Sequence, residues 1–306
     1  MTRYNTAPFI ILAVVVSLLL ISGCGPSDQS ILNKYAGGES RFVDINGLKV
    51  HYRDEGTGPV LLCIHGVQSS LHTWDGWAKA LKSKYRIIRI DLPGWGFTGP
   101  SNFGYQPDKT TAFLKKFIDT LGVGKIYLAG NSYGGFVSWN FARDYPDVVE
   151  KLILIDAGGY PMKSPLIVTL LSTPVIRDIS AMVTPKFAVA HFVRDVYGDK
   201  SGVTPETIDR YYSLMMYDGN RKESVKFMRE ARQHIEKEPV GVNTIKIPTL
   251  IMWGREDAWI PLDVMERFKK DIPHARAIVY DGVGHIPMEE LPEMTAKDAD
   301  NFLSGQ

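Results

Sequence analysis

The chain is expected to fold as an α/β protein: a mainly parallel sheet of eight strands with helices on both faces and a helical insertion near its far edge. Three observations carry this expectation. Short Ile, Val and Leu runs alternate with helical stretches from Arg41 onward, the first two runs flank the turn Asn46-Gly47, and the rhythm stops between Tyr160 and about Val240. A chain of 306 residues, 44% hydrophobic and 23% charged, is long enough to bury one large core. With 35 basic against 34 acidic residues it carries no field that gathers nucleic acid, so no nucleic-acid partner is expected; protein partners cannot be read.

The elements follow in order. Phe42 to Ile45 and Leu48 to Tyr52 pair through Asn46-Gly47, a two-residue hairpin signal, so the sheet opens antiparallel. Buried-strand runs then recur at Val60 to Ile64, Arg86 to Ile90, Ile126 to Ala129, Leu152 to Ile155, Thr249 to Trp253 and Ala277 to Tyr280. Helical patterns fit at Thr110 to Leu121, Phe136 to Asp144 and Val264 to Lys270. Between the fourth and fifth of those buried runs, the stretch 160–240 carries Met, Tyr and apolar residues at helical spacing, including Thr207 to Tyr217 and Glu223 to Ile235, and reads as a cap. The core domain is then 41–159 together with 241–306. Met215 and Met216 are expected on the cap face that looks onto the pocket.

The N-terminus differs in kind. Arg3 precedes the apolar run Phe9 to Ile21, which matches the core of a secretory signal and is shorter than a bilayer span. Ile21-Ser22-Gly23-Cys24 resembles the bacterial lipobox, which implies cleavage after residue 23 and a lipid on Cys24; an uncleaved signal anchor with a chance cysteine is the alternative. The resemblance implies an exported protein lipid-anchored in the bacterial cell envelope, the outer membrane being favoured because Gly25 stands where a retention aspartate would. Residues 24–40 form the tether, its polar stretch Pro26 to Ser30 acting as a leash. Cys63, the other cysteine, sits in an apolar run and reads as a small buried hydrophobe, so no disulfide framework exists.

The chemistry-bearing motif is Gly130-Asn131-Ser132-Tyr133-Gly134-Gly135, after a strand and before a helix. This is the context in which G-x-S-x-G forms a nucleophile elbow, with glycines where side chains would collide and the serine forced outward. A neutral serine needs a base and an orienting acid. His285, in Gly284-His285-Ile286-Pro287, follows the last strand; Asp257 follows Thr249 to Trp253, and the order Ser132, Asp257, His285 suits such a triad. Asp156, at the end of Leu152 to Ile155, is the alternative acid. The N–H groups of Val67 and Tyr133 are the expected oxyanion-hole pair, with His65 shaping the loop. Trp74 and Trp259 are candidates for the pocket wall. No metal or cofactor is expected, since no His, Cys, Asp or Glu cluster has ligand spacing and no glycine-rich phosphate loop is present.

Taken together, His65-Gly66, Asp91-Leu92-Pro93-Gly94-Trp95-Gly96, Gly130 to Gly135, Trp253 to Pro261 and Gly284-His285 resemble the capped alpha/beta-hydrolases of the esterase and lipase-like branch. The resemblance implies hydrolysis of a small carboxylic ester through an acyl-enzyme. Dehalogenases and epoxide hydrolases of that fold carry aspartate at the elbow, where Ser132 stands. Carbon-carbon hydrolases of ring-cleavage products share the elbow but usually have glycine-proline after His-Gly and tryptophan after the histidine; here stand Val67-Gln68-Ser69 and Ile286-Pro287. An exported lipoprotein also fits poorly with a substrate that arises in the cytosol. A cofactor-free perhydrolase and a non-catalytic binding module stay open as further readings.

Overall fold

The computed structural model describes residues 25–162, 169, 173–235 and 237–306. The signal-like run and Cys24 lie outside the described residues. Eight strands form one sheet: β1 (Arg41–Ile45), β2 (Leu48–Glu55), β3 (Val60–Ile64), β4 (Arg86–Ile90), β5 (Ile126–Asn131), β6 (Val149–Ile155), β7 (Thr249–Gly254) and β8 (Arg276–Tyr280). Their order is β1-β2-β4-β3-β5-β6-β7-β8, antiparallel at β1–β2 and β2–β4 and parallel from β4 to β8. Asn46 and Gly47 both have positive φ, 55° and 80°, the primed turn whose twist matches the paired strands.

The parallel strands are apolar because both faces are covered: Leu62, Ile64, Leu128, Leu152, Ile153, Leu154 and Ile251 are all buried. Helix α1 (Asp28–Tyr35) precedes the sheet, and α2 (Asp75–Leu81), α3 (Pro107–Thr120) and α4 (Tyr133–Asp144) follow in the first half. Helix α4 packs on β5 and β6, while α2 packs on the C-terminal helix, where the Trp77 indole donates to Thr295 at 2.9 Å. The chain between β6 and β7 carries α5 (Pro174–Met182), α6 (Lys186–Val196), α7 (Pro205–Met216) and α8 (Asn220–Ile235), among the described residues. Helices α9 (Leu262–Asp271), α10 (Pro287–Glu290) and α11 (Pro292–Ser304) complete the fold.

Strand order reverses around β3, whose neighbours are β4 on one side and β5 on the other. The loops leaving β3 and β5 therefore diverge, and a crevice opens between their carboxyl ends. It is there that the Gly66 and Ser132 segments meet.

Of the stretch Pro26 to Ser30 read from sequence as a leash, Asp28 to Ser30 form the first turn of helix α1, which docks on the cap. Its apolar residue Ile31 is 1% exposed and packs with Phe97 and Leu214, while Lys34 and Tyr35 both reach Asp209 of α7. Polar composition hid this, because a short helix with one buried side chain gains its stability from the surface it meets. Among the described residues, no helix is long and apolar enough to cross a membrane.

Candidate active site

Strand β5 turns into α4 through Ser132, which sits at φ 56°, ψ −120°, a region costly for any residue with a side chain. Its surroundings hold it there. The Ser132 N–H donates to the Ile155 carbonyl, and its own carbonyl accepts from the Phe136 and Gly158 amides, each at 3.0 Å. A Cβ at Gly130 would overlap the Gly134 carbonyl and Ser138 Oγ, and one at Gly134 would overlap the Ile64 and His65 carbonyls. Glycine is thus required by close approach on both sides of the serine.

His285 lies in the loop after β8, and its Nδ1 is 2.7 Å from Asp257 Oδ2. The other Asp257 oxygen accepts the Trp259 amide at 2.7 Å and the Ile260 amide at 3.0 Å, so the carboxylate is fixed by the loop that carries it. Ser132, Asp257 and His285 are all buried. Ser132 and His285 share a cavity of about 20 Å³, walled by Val67, Phe192, Tyr211 and Trp259. Tyr133 opens α4, where a helix's first N–H groups have no partner within the helix.

Asp156, the alternative acid, is held by a different partner. Its Oδ1 accepts the Gly254 amide at 2.9 Å, and its backbone is held at φ 44°. Burial, followed by the negative charge of Asp257, pushes its carboxyl well above the usual range. One atom each from Asp156, Asp257 and His285 lie within 4.8 Å of one another. This donor set was not visible as sequence spacing. Its two closest members are already joined by the 2.7 Å imidazole–carboxylate hydrogen bond, which orients the ring.

Two other histidines, His65 and His51, shape loops. The His65 Nδ1–H donates to the Gly66 carbonyl at 2.6 Å and Nε2 accepts the Leu92 amide at 3.0 Å; burial holds its pKa down, which suits this neutral tautomer. His51 stands between Asp91 at 2.6 Å and Ser40 at 2.7 Å, a serine–histidine–aspartate chain that ties residue 40 to the core. Of the tryptophans, Trp259 stacks near His285 with ring centres 6.3 Å apart, whereas Trp74 is buried against Trp77 away from the cavity. Met215 and Met216 do not line the cavity: Met215 packs into the core and Met216 against Gly25. Sequence reasoning also passed over Asn131, whose amide donates to the Ile155 and His285 carbonyls at 3.1 and 2.9 Å and so fastens the elbow to the histidine loop.

Residues 59–292 match the family model of the alpha/beta hydrolase fold. The chain belongs to this family. Among curated relatives, this alpha/beta hydrolase is 30% identical to a 2-hydroxy-6-oxononadienedioate/2-hydroxy-6-oxononatrienedioate hydrolase of Burkholderia vietnamiensis, over 86% of this chain and 95% of that one. Among solved structures it is similar to a membrane phospholipase A described as a bacterial virulence factor, with TM-score 0.76 and 25% identity over 100% of this chain and 99% of that one. A putative lipase of Acinetobacter baumannii has TM-score 0.76 and 25% identity, over 92% and 97% of the two chains.

Proposed function

We propose that this alpha/beta hydrolase cleaves carboxylic esters, with Ser132 as nucleophile, His285 as base and Asp257 as the acid that orients it. The observation that carries the reading is the Asp257-bound imidazole sharing one small cavity with the strained Ser132. In this reaction Ser132 Oγ attacks the ester carbonyl and His285 Nε2 takes its proton. The Val67 and Tyr133 N–H groups receive the charge on the carbonyl oxygen. His285 then protonates the departing alcohol, leaving an acyl-serine. Water adds to the acyl carbon, its proton passes to His285, and the acid leaves as Ser132 recovers its proton.

The similarity to a phospholipase A and a lipase supports an ester substrate. A second reading, carbon-carbon hydrolysis of a ring-cleavage product, is favoured by the 30% identity to the oxononadienedioate hydrolase. One measurement tests the nucleophile and a second separates the two readings. A fluorophosphonate probe should label the wild type and leave Ser132→Ala unlabelled. Turnover of p-nitrophenyl esters without turnover of a ring-fission dienoate supports the ester reading; the reverse ranking overturns it. We further propose that Cys24 carries the lipid that anchors the protein to the cell envelope, supported by the run Phe9 to Ile21 ending in Ser22-Gly23-Cys24. Equal detergent partitioning of wild type and Cys24→Ala would count against it.

A further inference from the structure

The cap segment that ends α6 lies directly on the loop carrying His285. The Val196 carbonyl accepts the His285 N–H at 2.8 Å. A Cβ at Gly284 would stand 2.5 Å from both Gly198 N and Val196 O, so the two backbones touch with no side chain between them. Glu290, at the end of α10, closes this seam. Its Oε1 accepts the Gly284 N–H at 2.7 Å, and its Oε2 accepts the N–H groups of Gly198 at 2.9 Å and Asp199 at 3.3 Å. One carboxylate therefore holds the residue before the base and two residues of the cap. Beside it, Glu289 binds cap residues Arg210, Tyr197 at 3.0 Å and Tyr211 at 2.9 Å, and reaches Thr73 of the core at 2.7 Å.

These contacts divide two spaces. Inside lies the Ser132 cavity of about 20 Å³; outside lies one of about 350 Å³ bounded by Tyr197, Arg210, Val283, Glu289 and Glu290. The inner space suffices for roughly one water, while small-molecule sites usually measure about 300–1,000 Å³.

We propose that Glu290 is a positioning residue that couples cap closure to the placement of His285: the base is aligned while Gly198 and Asp199 are seated with Gly284 on the one carboxylate. The proposal rests on Ser132 and His285 acting as the hydrolytic pair. Burial pushes the Glu290 pKa up to about 7 against its three amide donors, with the charge of Asp199 adding to the effect. The other titratable groups around it are Tyr197 and Arg210 of the cap, both held by Glu289, Asp156 at the end of β6, and His72 and Asp75 across the outer cavity. Protonation places an O–H where an amide donor needs an acceptor, so the seam weakens as pH falls through neutrality.

The test uses the full chain with Glu290→Gln and Glu290→Asp, assayed on p-nitrophenyl butyrate from pH 5 to 9. The expected result is a fall in kcat of about tenfold for Glu290→Gln with KM changed less than about twofold, because geometry at the base is lost and binding is not. The acidic limb of its kcat profile should drop from about two protons to about one, since Glu290 no longer titrates. Hydrogen exchange should quicken together at 196–199 and 282–286. Glu290→Asp keeps the charge but reaches one side of the seam, so its kcat should fall while the two-proton limb survives; it carries the test if Glu290→Gln does not fold. Wild-type kcat and limb slope in the folded variants, or exchange that quickens on one side alone, overturns the coupling. Activity surviving in Ser132→Ala overturns the underlying hydrolytic reading instead, whatever the Glu290 variants do.

Discussion

Replacing Asp257 by Asn exchanges an oxygen for an NH₂ group and forces a choice between two orientations. If the amide oxygen stays where Oδ1 was, it keeps the Trp259 and Ile260 amides and turns its NH₂ toward the ring. The reverse orientation leaves two buried backbone donors facing a donor, at about 1–3 kcal/mol each. The first orientation therefore wins by several kcal/mol on this estimate, and the NH₂ meets Nδ1, which must then give up its proton and accept. The ring becomes the Nε2–H tautomer, which cannot take the proton of Ser132. Such a reversal costs about 10⁴ in kcat, or about 5.5 kcal/mol of barrier. Initial rates on p-nitrophenyl butyrate, with thermal melts to show that the variant is folded, measure this directly. Asp156→Asn is the control: the amide oxygen still accepts the Gly254 amide, and kcat should stay within about threefold. A folded Asp257→Asn enzyme within tenfold of wild type, or a larger loss in Asp156→Asn, would refute the wiring argued here.

Other outcomes follow from the same geometry. Ser132→Gly should abolish hydrolysis and raise stability by about 1 kcal/mol, because glycine takes φ 56° without strain; denaturant melts showing a loss would count against stored strain at the elbow. Asp91 accepts the Leu71 and Phe97 amides and pairs with His51, and although burial pushes its carboxyl up, His51 and the donors hold it at about 2 against an ordinary 3.8. A lowered folded-state value means the stabilisation is complete above the ordinary value and is lost as pH falls toward 2. Asp91→Asn should therefore cost about 2 kcal/mol or more at pH 7, with the gap narrowing below pH 4 in chemical melts. Phe192→Ala and Val196→Ala, on the cap side of the cavity, should move preference along a p-nitrophenyl ester series toward bulkier acyl groups. An unchanged profile would show that the cap does not set specificity.

The central strands of the sheet were legible because they are buried on both faces, so β3, β6 and β7 read as apolar runs rather than alternations. Arg89 shows where that reading thins. It stands inside β4 and is 1% exposed, paired with Glu55 and Asp75, partners far away in sequence. Ser132 and His285 could be singled out as candidates since each follows a strand within a glycine-rich turn. Asp156 and Asp257 looked alike for the same reason; only the imidazole contact and the Gly254 amide tell them apart, and both are tertiary. The cap lining was misplaced at Met215 and Met216 because helical spacing gives a face without saying what it faces. Glu290 gave no signal, being one of two adjacent glutamates whose partners lie about ninety residues back in the cap.

Helix α1 gives the molecule a mechanical asymmetry. Gly25 rests on Met216, Asp28 accepts the Asp218 amide, and Lys34 and Tyr35 grip Asp209, so the N-terminal end of the described chain is fastened to α7 before it reaches the sheet. The core takes hold at Ile31, which packs on Phe97, and from Tyr35 onward through Arg53, His72 and His51. Tension applied ahead of Gly25 is therefore delivered first to α7, whose Tyr211 walls the Ser132 cavity and bonds to Glu289. The end of the chain by which such a protein would be held is thus tied to the helix that walls its candidate active site, and a truncation that removes α1 cuts that tie.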